Sequence, residues 1–300
     1  MNYILKLILF IIIIILQACS SASSINSEKI TLSTNFKNYW YRGKAELTSY
    51  QLEQARYGEI HRAEAVLIFV TEDFLPEKQV KFENRKTNET PVSVLKLNFT
   101  RKFYTGIYPY SVMTSVFTPL EYQDRHALKI ISSSQEWCGQ TFMQMNNRNN
   151  KYNFRIYSYF QNESDQIFEL QKVYLEDNIW IKIRINPDIL PTGDINIIPG
   201  AQFARFRHKR LKVEKAIATL LDKGNTSNIY RLEYKDFMRI LEITFEKNFP
   251  YKILAWKEKT ESGFGNRKIL TTGAVKNKSI LLDYWNKNSV ADSTYRKTLE

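Results

Sequence analysis

Few residues able to do covalent or acid–base chemistry stand close together in this sequence. The sharpest local feature is Trp137-Cys138-Gly139-Gln140. Cys138 could serve as a nucleophile with His126 or His208 as its base, because a thiol attacks well only when a base or a lowered pKa supplies the thiolate. No basic residue and no helix start stands beside Cys138 in sequence, so it reads as a buried structural thiol packing like a small hydrophobe. His61, His126 and His208 have no i, i+4 partner and no His-x-His spacing, so no metal ligand set and no cofactor is expected. His126 closes a charged stretch, 121–126, that reads as a loop. Glu72 and Asp73 are adjacent on a strand and face opposite sides, which prevents them from sharing a proton. Ser262-Gly263-Phe264-Gly265 lacks the Lys-Ser/Thr of a phosphate loop and reads as a hairpin turn.

Residues suited to binding are more numerous. Arg205, Arg207, Lys209, Arg210 and Lys212, with His208, form the densest basic patch. They alternate with Phe206, Leu211 and Val213, which predicts the solvated face of a strand. Near an anionic surface each such charge is worth about 1 kcal/mol. Tyr39-Trp40-Tyr41 and Tyr108-Pro109-Tyr110 are aromatic clusters. Such clusters commonly pack in cores; as binding residues, Tyr39, Trp40, Tyr108 and Tyr110 are the candidates to line an apolar groove for a lipid or a sugar.

The N-terminus reads as an address. Lys6 precedes an apolar run, Leu7 to Leu16. Ten helical residues rise roughly 15 Å, half of the roughly 30 Å of a bilayer core, so the run is the apolar part of a signal peptide over 1–18. Leu16-Gln17-Ala18-Cys19 resembles the lipobox of bacterial lipoproteins. That resemblance implies cleavage before Cys19 and acylation of its thiol, and several acyl chains suffice for stable membrane anchoring. Residues 19–29 read as the acylated cysteine and a flexible polar tether. Ser20, by the sorting rule of such lipoproteins, points to the outer membrane, facing the periplasm. Asp292-Ser293-Thr294 resembles an O-glycosylation sequon of Bacteroidota envelopes, with Ser293 as acceptor.

The elements behind these residues are mostly strands. Leu95, Leu97 and Phe99 alternate with polar residues, as do Tyr230, Leu232 and Tyr234, and Leu241, Ile243 and Phe245. Leu211 and Val213 extend the same pattern, and Val66 to Val70 reads as a strand buried on both sides. Tyr and Phe number 18 each in 300 residues, a composition that suits pleated surfaces. One segment is contested: Ile179, Ile181, Ile183 and Ile185 alternate, yet Leu175, Ile179 and Ile183 lie at helical spacing. Glu176 and Asp177 come first and Lys182 and Arg184 last, complementing a helix dipole. The spacing therefore predicts a helix near 166–185. The expected fold is mainly β (α+β): a curved antiparallel sheet or half-barrel with two strand-rich halves around that central helix. Residues 30–300 form one β-rich domain, or two halves divided near 166–193. A net charge of +12 would suit nucleic acid, anionic lipid or a cell-wall polymer. An envelope address leaves nucleic acid aside. The membrane, through acylated Cys19, and a lipid or glycan ligand are the expected partners.

Several stretches carry a family resemblance: 36–59 (FKNYWYRGKAELTSYQLEQARYGE), 65–81 (AVLIFVTEDFLPEKQVK), 106–119 (GIYPYSVMTSVFTP), 135–148 (QEWCGQTFMQMNNR), 190–194 (LPTGD) and 284–288 (YWNKN). Together they resemble Bacteroidota-type envelope lipoproteins of this length that carry the label septum formation inhibitor Maf. The label implies a nucleotide pyrophosphatase. The Ser-x-x-Arg-Arg loop with which Maf enzymes grip phosphate has no counterpart here, so no catalytic residue is carried over. The expected function is non-enzymatic binding or carriage of an apolar or envelope-derived ligand. The alternatives are a hydrolase, acting on nucleotides as the label implies or on the cell wall, and a structural partner in envelope assembly.

Overall fold

Period-two patterning runs through most of the chain between residues 45 and 282, and the backbone answers with sixteen strands. The computed structural model describes residues 30–84 and 88–299; Cys19, the leader and the tether lie outside the described residues. The strands are β1 (Ala45–Arg56), β2 (Glu59–Leu75), β3 (Val80–Lys81), β4 (Val92–Thr105), β5 (Tyr108–Pro119), β6 (Lys129–Glu136), β7 (Gly139–Arg148), β8 (Lys151–Ser158), β9 (Gln166–Gln171), β10 (Tyr174–Leu175), β11 (Gly193–Ile198), β12 (Glu214–Lys223), β13 (Ser227–Tyr234), β14 (Arg239–Glu246), β15 (Ile253–Ser262) and β16 (Lys268–Leu282). They form one curved, unclosed sheet in the order β10-β11-β12-β13-β14-β15-β16-β1-β2-β4-β5-β6-β7-β8-β9, with β3 on the side of β2. Every pairing is antiparallel except the short β10–β11 contact. The pairing of β1 with β16, Ala45 opposite Leu282, joins the two halves of the sequence into that single sheet.

The edges of the sheet, β9 and β10, are consecutive in the chain and only Lys172 and Val173 separate them. The sheet therefore curls until its edges approach, leaving a seam. Three helices stand with it: α1 (Thr34–Trp40), α2 (Glu176–Ile185) and α3 (Ala201–Phe206). A fourth, α4 (Ser293–Lys297), closes the C-terminus. Ser33 caps α1 by accepting from the Phe36 amide at 3.2 Å.

Helix α2 is buried from Asn178 to Ile185 on all sides, as a helix inside a curled sheet must be. Its Trp180 meets Phe99 of β4 and Trp256 of β15 with ring centroids 5.1 and 5.4 Å apart. The isoleucines at 179, 181, 183 and 185 alternate because every side of the helix faces core. The helix begins at Glu176; residues 166–171 and 174–175 are strands, which corrects the N-terminal half of the expected helix.

Two further expectations are corrected. Residues 205–213 are not a strand: α3 ends at Phe206, a turn follows, and 209–213 belong to no regular element. Val66 and Ile68 are half-buried on the outer face of β2, while Ala65, Leu67 and Phe69 are buried on the inner face, so this strand is not covered equally on both sides. Ser262-Gly263-Phe264-Gly265 is a hairpin turn, as read, and Lys223-Gly224-Asn225 lies in another.

Candidate functional site

Several strands carry charged or amide residues in the phase of their buried face. Leu52 is followed two residues on by Gln54, Phe99 by Arg101, and Trp256 by Glu258, while Arg239 precedes Leu241. All are buried. These positions converge beneath α3. Arg239 binds Glu176 with both terminal nitrogens, the Nη2–Oε1 pair at 2.7 Å, and donates from Nε to Glu258 Oε1 at 2.8 Å. Tyr234 donates to Glu176 Oε2 at 2.5 Å, and Arg101 donates to Gln54 Oε1 at 3.2 Å. Burial opposes ionisation of Glu258, but Arg239 and Arg101 outweigh it and hold its pKa below the ordinary carboxylate value.

Asp177 has no such cation in contact. Burial pushes its pKa up to about 7, against the pull of the hydrogen bond it accepts from the Ala201 amide at 2.9 Å. That bond ties the start of α2 to the start of α3. Gly200 is needed there because a Cβ would lie 2.5 Å from Glu176 Oε1 and 3.2 Å from Asp177 Oδ1. A void of about 20 Å³ remains among Arg101, Asp177, Gln202 and Arg239, room for one water molecule. Arg101 Nε and Gln202 Oε1 are buried there without a protein partner.

Above this floor, in the seam between β6–β8 and the chain after α3, lies a cleft of about 390 Å³. Met143, Ile156, Ala204 and Leu211 make its apolar wall, and Glu163, Arg205, His208, Lys209 and Arg210 its polar mouth. Arg205 is paired with Glu136 and lies 3.7 Å from Glu163. His208 Nδ1 and Glu163 Oε1 are 2.5 Å apart, and Ser158 donates to the other oxygen of Glu163 at 2.6 Å. Burial works against ionised Glu163, but the His208 and Ser158 bonds prevail and lower its pKa. The carboxylate thus stands between hydroxyl and imidazole. In a Ser-His-Asp triad the imidazole is in the middle. Lys209 and Arg210 form no ion pair among the described residues; they lie over the rings of Phe237 and Phe168. A wider open hollow, about 1300 Å³, lies over β15 to β7 and is lined by the mixed charges of Glu53, Arg62, Glu64 and Lys102.

The residues singled out in sequence are scattered. Arg205, Lys209 and Arg210 reach the cleft, whereas Arg207 lies 3.7 Å from Glu261 and Lys212 3.5 Å from Glu214. Trp40 is core, and Tyr39 donates to Glu46 beside Arg184. Tyr110 is buried, stacked on Phe103 at 4.6 Å and bonded to the Tyr57 hydroxyl at 2.6 Å. Tyr108 meets Trp137 at 5.7 Å. Tyr39 and Trp40 pack edge to face at 5.0 Å, while Tyr110 and Tyr108 have other partners, so the four aromatics do not share one groove. Cys138 is exposed, a correction: Glu136 pairs with Gly139, so Trp137-Cys138 is a two-residue hairpin turn and its thiol points to solvent. His126 is at the opposite end of the strands, 2.5 Å from the Tyr152 hydroxyl, with its pKa lowered by burial to about 4. Ser293 is exposed at the start of α4. No group of three His, Cys, Asp or Glu able to hold a metal occurs among the described residues, and no described helix is long and apolar enough to cross a membrane.

The cleft residues Glu163, Arg205 and His208, with Glu136 paired to Arg205 beside them, escaped sequence reasoning as a set because they come from three distant segments. Comparison with family models, with curated proteins and with solved structures gave no match for this chain.

Proposed function

We propose that the protein is a non-enzymatic, lipid-anchored envelope protein that binds an amphiphile in the seam of its half-barrel. The observation that carries this reading is the cleft itself. Its volume, about 390 Å³, lies within the range of small-molecule sites. Its wall is apolar, and at its mouth Lys209 and Arg210 form no ion pair among the described residues, suited to an acyl chain with an anionic or polar head. The anchor rests on the lipobox-like sequence around Cys19, and the outer-membrane, periplasm-facing location on Ser20. The group Ser158–Glu163–His208 differs from a Ser-His-Asp triad, since a carboxylate held below its ordinary pKa, and not an imidazole, faces the hydroxyl; it lends no support to the hydrolysis the Maf label implies.

A fluorescent fatty acid tests the reading. It is expected to bind the chain from Ser20 onward with enhanced emission, and to lose about tenfold in affinity when Ala204→Trp fills the apolar wall. Denaturation midpoints of the variant check its folding. Equal binding by a folded Ala204→Trp variant would sink the assignment.

A further inference from the structure

Five hairpins that lie side by side in the sheet all turn at the same end: β15–β16, β1–β2, β4–β5, β6–β7 and β8–β9. Each carries a large exposed apolar or aromatic side chain in its turn. In sheet order these are Phe264, Tyr57, Ile107, Trp137 and Tyr159. Four of them are mostly exposed: Phe264 69%, Ile107 73%, Trp137 66% and Tyr159 78%. Folding alone does not call for this, since burying such side chains is favourable and a turn can be made of polar residues. At the opposite end the turns Asn149-Asn150 and Gly224-Asn225-Thr226 are polar, and the apolar residues of the β14–β15 turn, Phe249 and Tyr251, are half-buried against the core. The Tyr57 and Phe264 rings are 5.6 Å apart, and Phe264 and Phe160, the neighbour of Tyr159, flank the His208 ring at 5.9 and 5.3 Å, so the five tips curve round one end of the curled sheet as a rim.

The seam completes this rim, and it is basic. The chain after α3 brings Arg207, Lys209, Arg210 and Lys212 to the same end, where Lys209 and Arg210 have no carboxylate partner among the described residues. Aromatic side chains with apolar bodies and polar edges, interleaved with Lys and Arg, are suited to the boundary between headgroups and acyl chains, and the basic sector to a negative surface charge. The mouth of the cleft opens at this same end, between Glu163 and Arg210.

We propose that this rim is a docking surface for an anionic lipid bilayer, with Tyr57, Ile107, Trp137, Tyr159 and Phe264 entering the interface and the 207–212 segment meeting the headgroups. The proposal stands on the rim itself and does not require a ligand in the cleft; loss of fatty-acid binding in the test above would leave it untouched.

Cys138 supplies the probe, because it is exposed beside Trp137 and is the one cysteine of the chain from Ser20 onward. An environment-sensitive fluorophore on Cys138 is titrated with vesicles of phosphatidylcholine plus phosphatidylglycerol, and with phosphatidylcholine alone. The expected result is a blue shift with the mixed vesicles only, weakened by salt, and a loss of about tenfold or more in partitioning when Ile107, Tyr159 and Phe264 are all changed to Ser. These sites are exposed turn residues, and circular dichroism confirms that the variant is folded. No shift with either vesicle, an equal shift with the neutral one, or unchanged partitioning of the folded triple variant would overturn the proposal. The first of these outcomes would direct attention to a protein partner instead.

Discussion

Asp177 is a half-buried carboxyl with no cation in contact, its pKa raised towards neutrality by burial. Its folded pKa of about 7 lies well above the roughly 3.9 of an unfolded aspartate. The folded state therefore holds a proton that the unfolded state has lost between about pH 4 and 7. Stability falls as pH rises through that window, by up to about 1.4 kcal/mol per pH unit, and the contribution is fully lost above pH 7. Asp177→Asn keeps an oxygen to accept from the Ala201 amide and removes the titration. Denaturant midpoints at pH 5 and pH 8 should show the variant gaining on the parent protein by a few kcal/mol at the higher pH. Parallel pH profiles would show that Asp177 does not titrate in this window.

At the scale of elements, α2 is the piece that the rest of the fold is arranged around, and an ion pair holds each of its ends. Glu176 at its start meets Arg239 of β14, and Arg184 near its end meets Glu46 of β1, with Arg184 Nη1 and Nη2 at 2.5 and 2.8 Å from the two carboxylate oxygens. Burial penalises both partners of the second pair, but their mutual attraction prevails: Arg184 is raised and Glu46 lowered. Removing one partner leaves the other charge stranded in the core, while removing both need not. Arg184→Met and Glu46→Gln should each destabilise the protein by about 3–5 kcal/mol, and the double variant by clearly less than their sum. Additive losses in urea unfolding would mean that the pair is not coupled.

The order of charges around α2 was readable from sequence as a helix signature, as were the strands with one clean apolar phase. Helix α3 was not. Six residues are too few to show a period, and the alternation of Arg205, Arg207, Lys209 and Leu211 imitates a strand. Residues 166–171 alternate weakly, all six lying between half-buried and exposed, as an edge strand beside a seam does. The buried floor was missed for a different reason. Gln54, Arg101, Arg239 and Glu258 stand in the same phase as their core neighbours, and a polar residue in a buried phase is the signal that marks them. Nothing in one sequence says which of these residues will meet.

For the whole molecule, the position of the N-terminal end decides which surface the turn rim can meet. The Ile30 amide donates to the Glu121 carbonyl at 2.8 Å, just beyond the end of β5 farthest from the rim. The 12 residues of β5 put about 40 Å along the strands between that point and the turn at Ile107. The segment from Cys19 to Ile30, about eleven residues, could bridge that distance only at its full contour length of about 40 Å. An acylated Cys19 would therefore hold the rim away from its own bilayer, and docking would favour a second membrane. Protein anchored through acylated Cys19 on phosphatidylcholine vesicles is expected to gather vesicles containing phosphatidylglycerol, seen as energy transfer between lipid dyes carried by the two populations. The Ile107→Ser, Tyr159→Ser, Phe264→Ser variant should gather far fewer. A long Gly-Ser insertion after Lys29, by letting the rim fold back onto vesicles that themselves contain phosphatidylglycerol, should reduce gathering when both populations carry that lipid. Gathering that is indifferent to both the tip residues and the tether length would remove the geometric argument for a rim facing a second membrane.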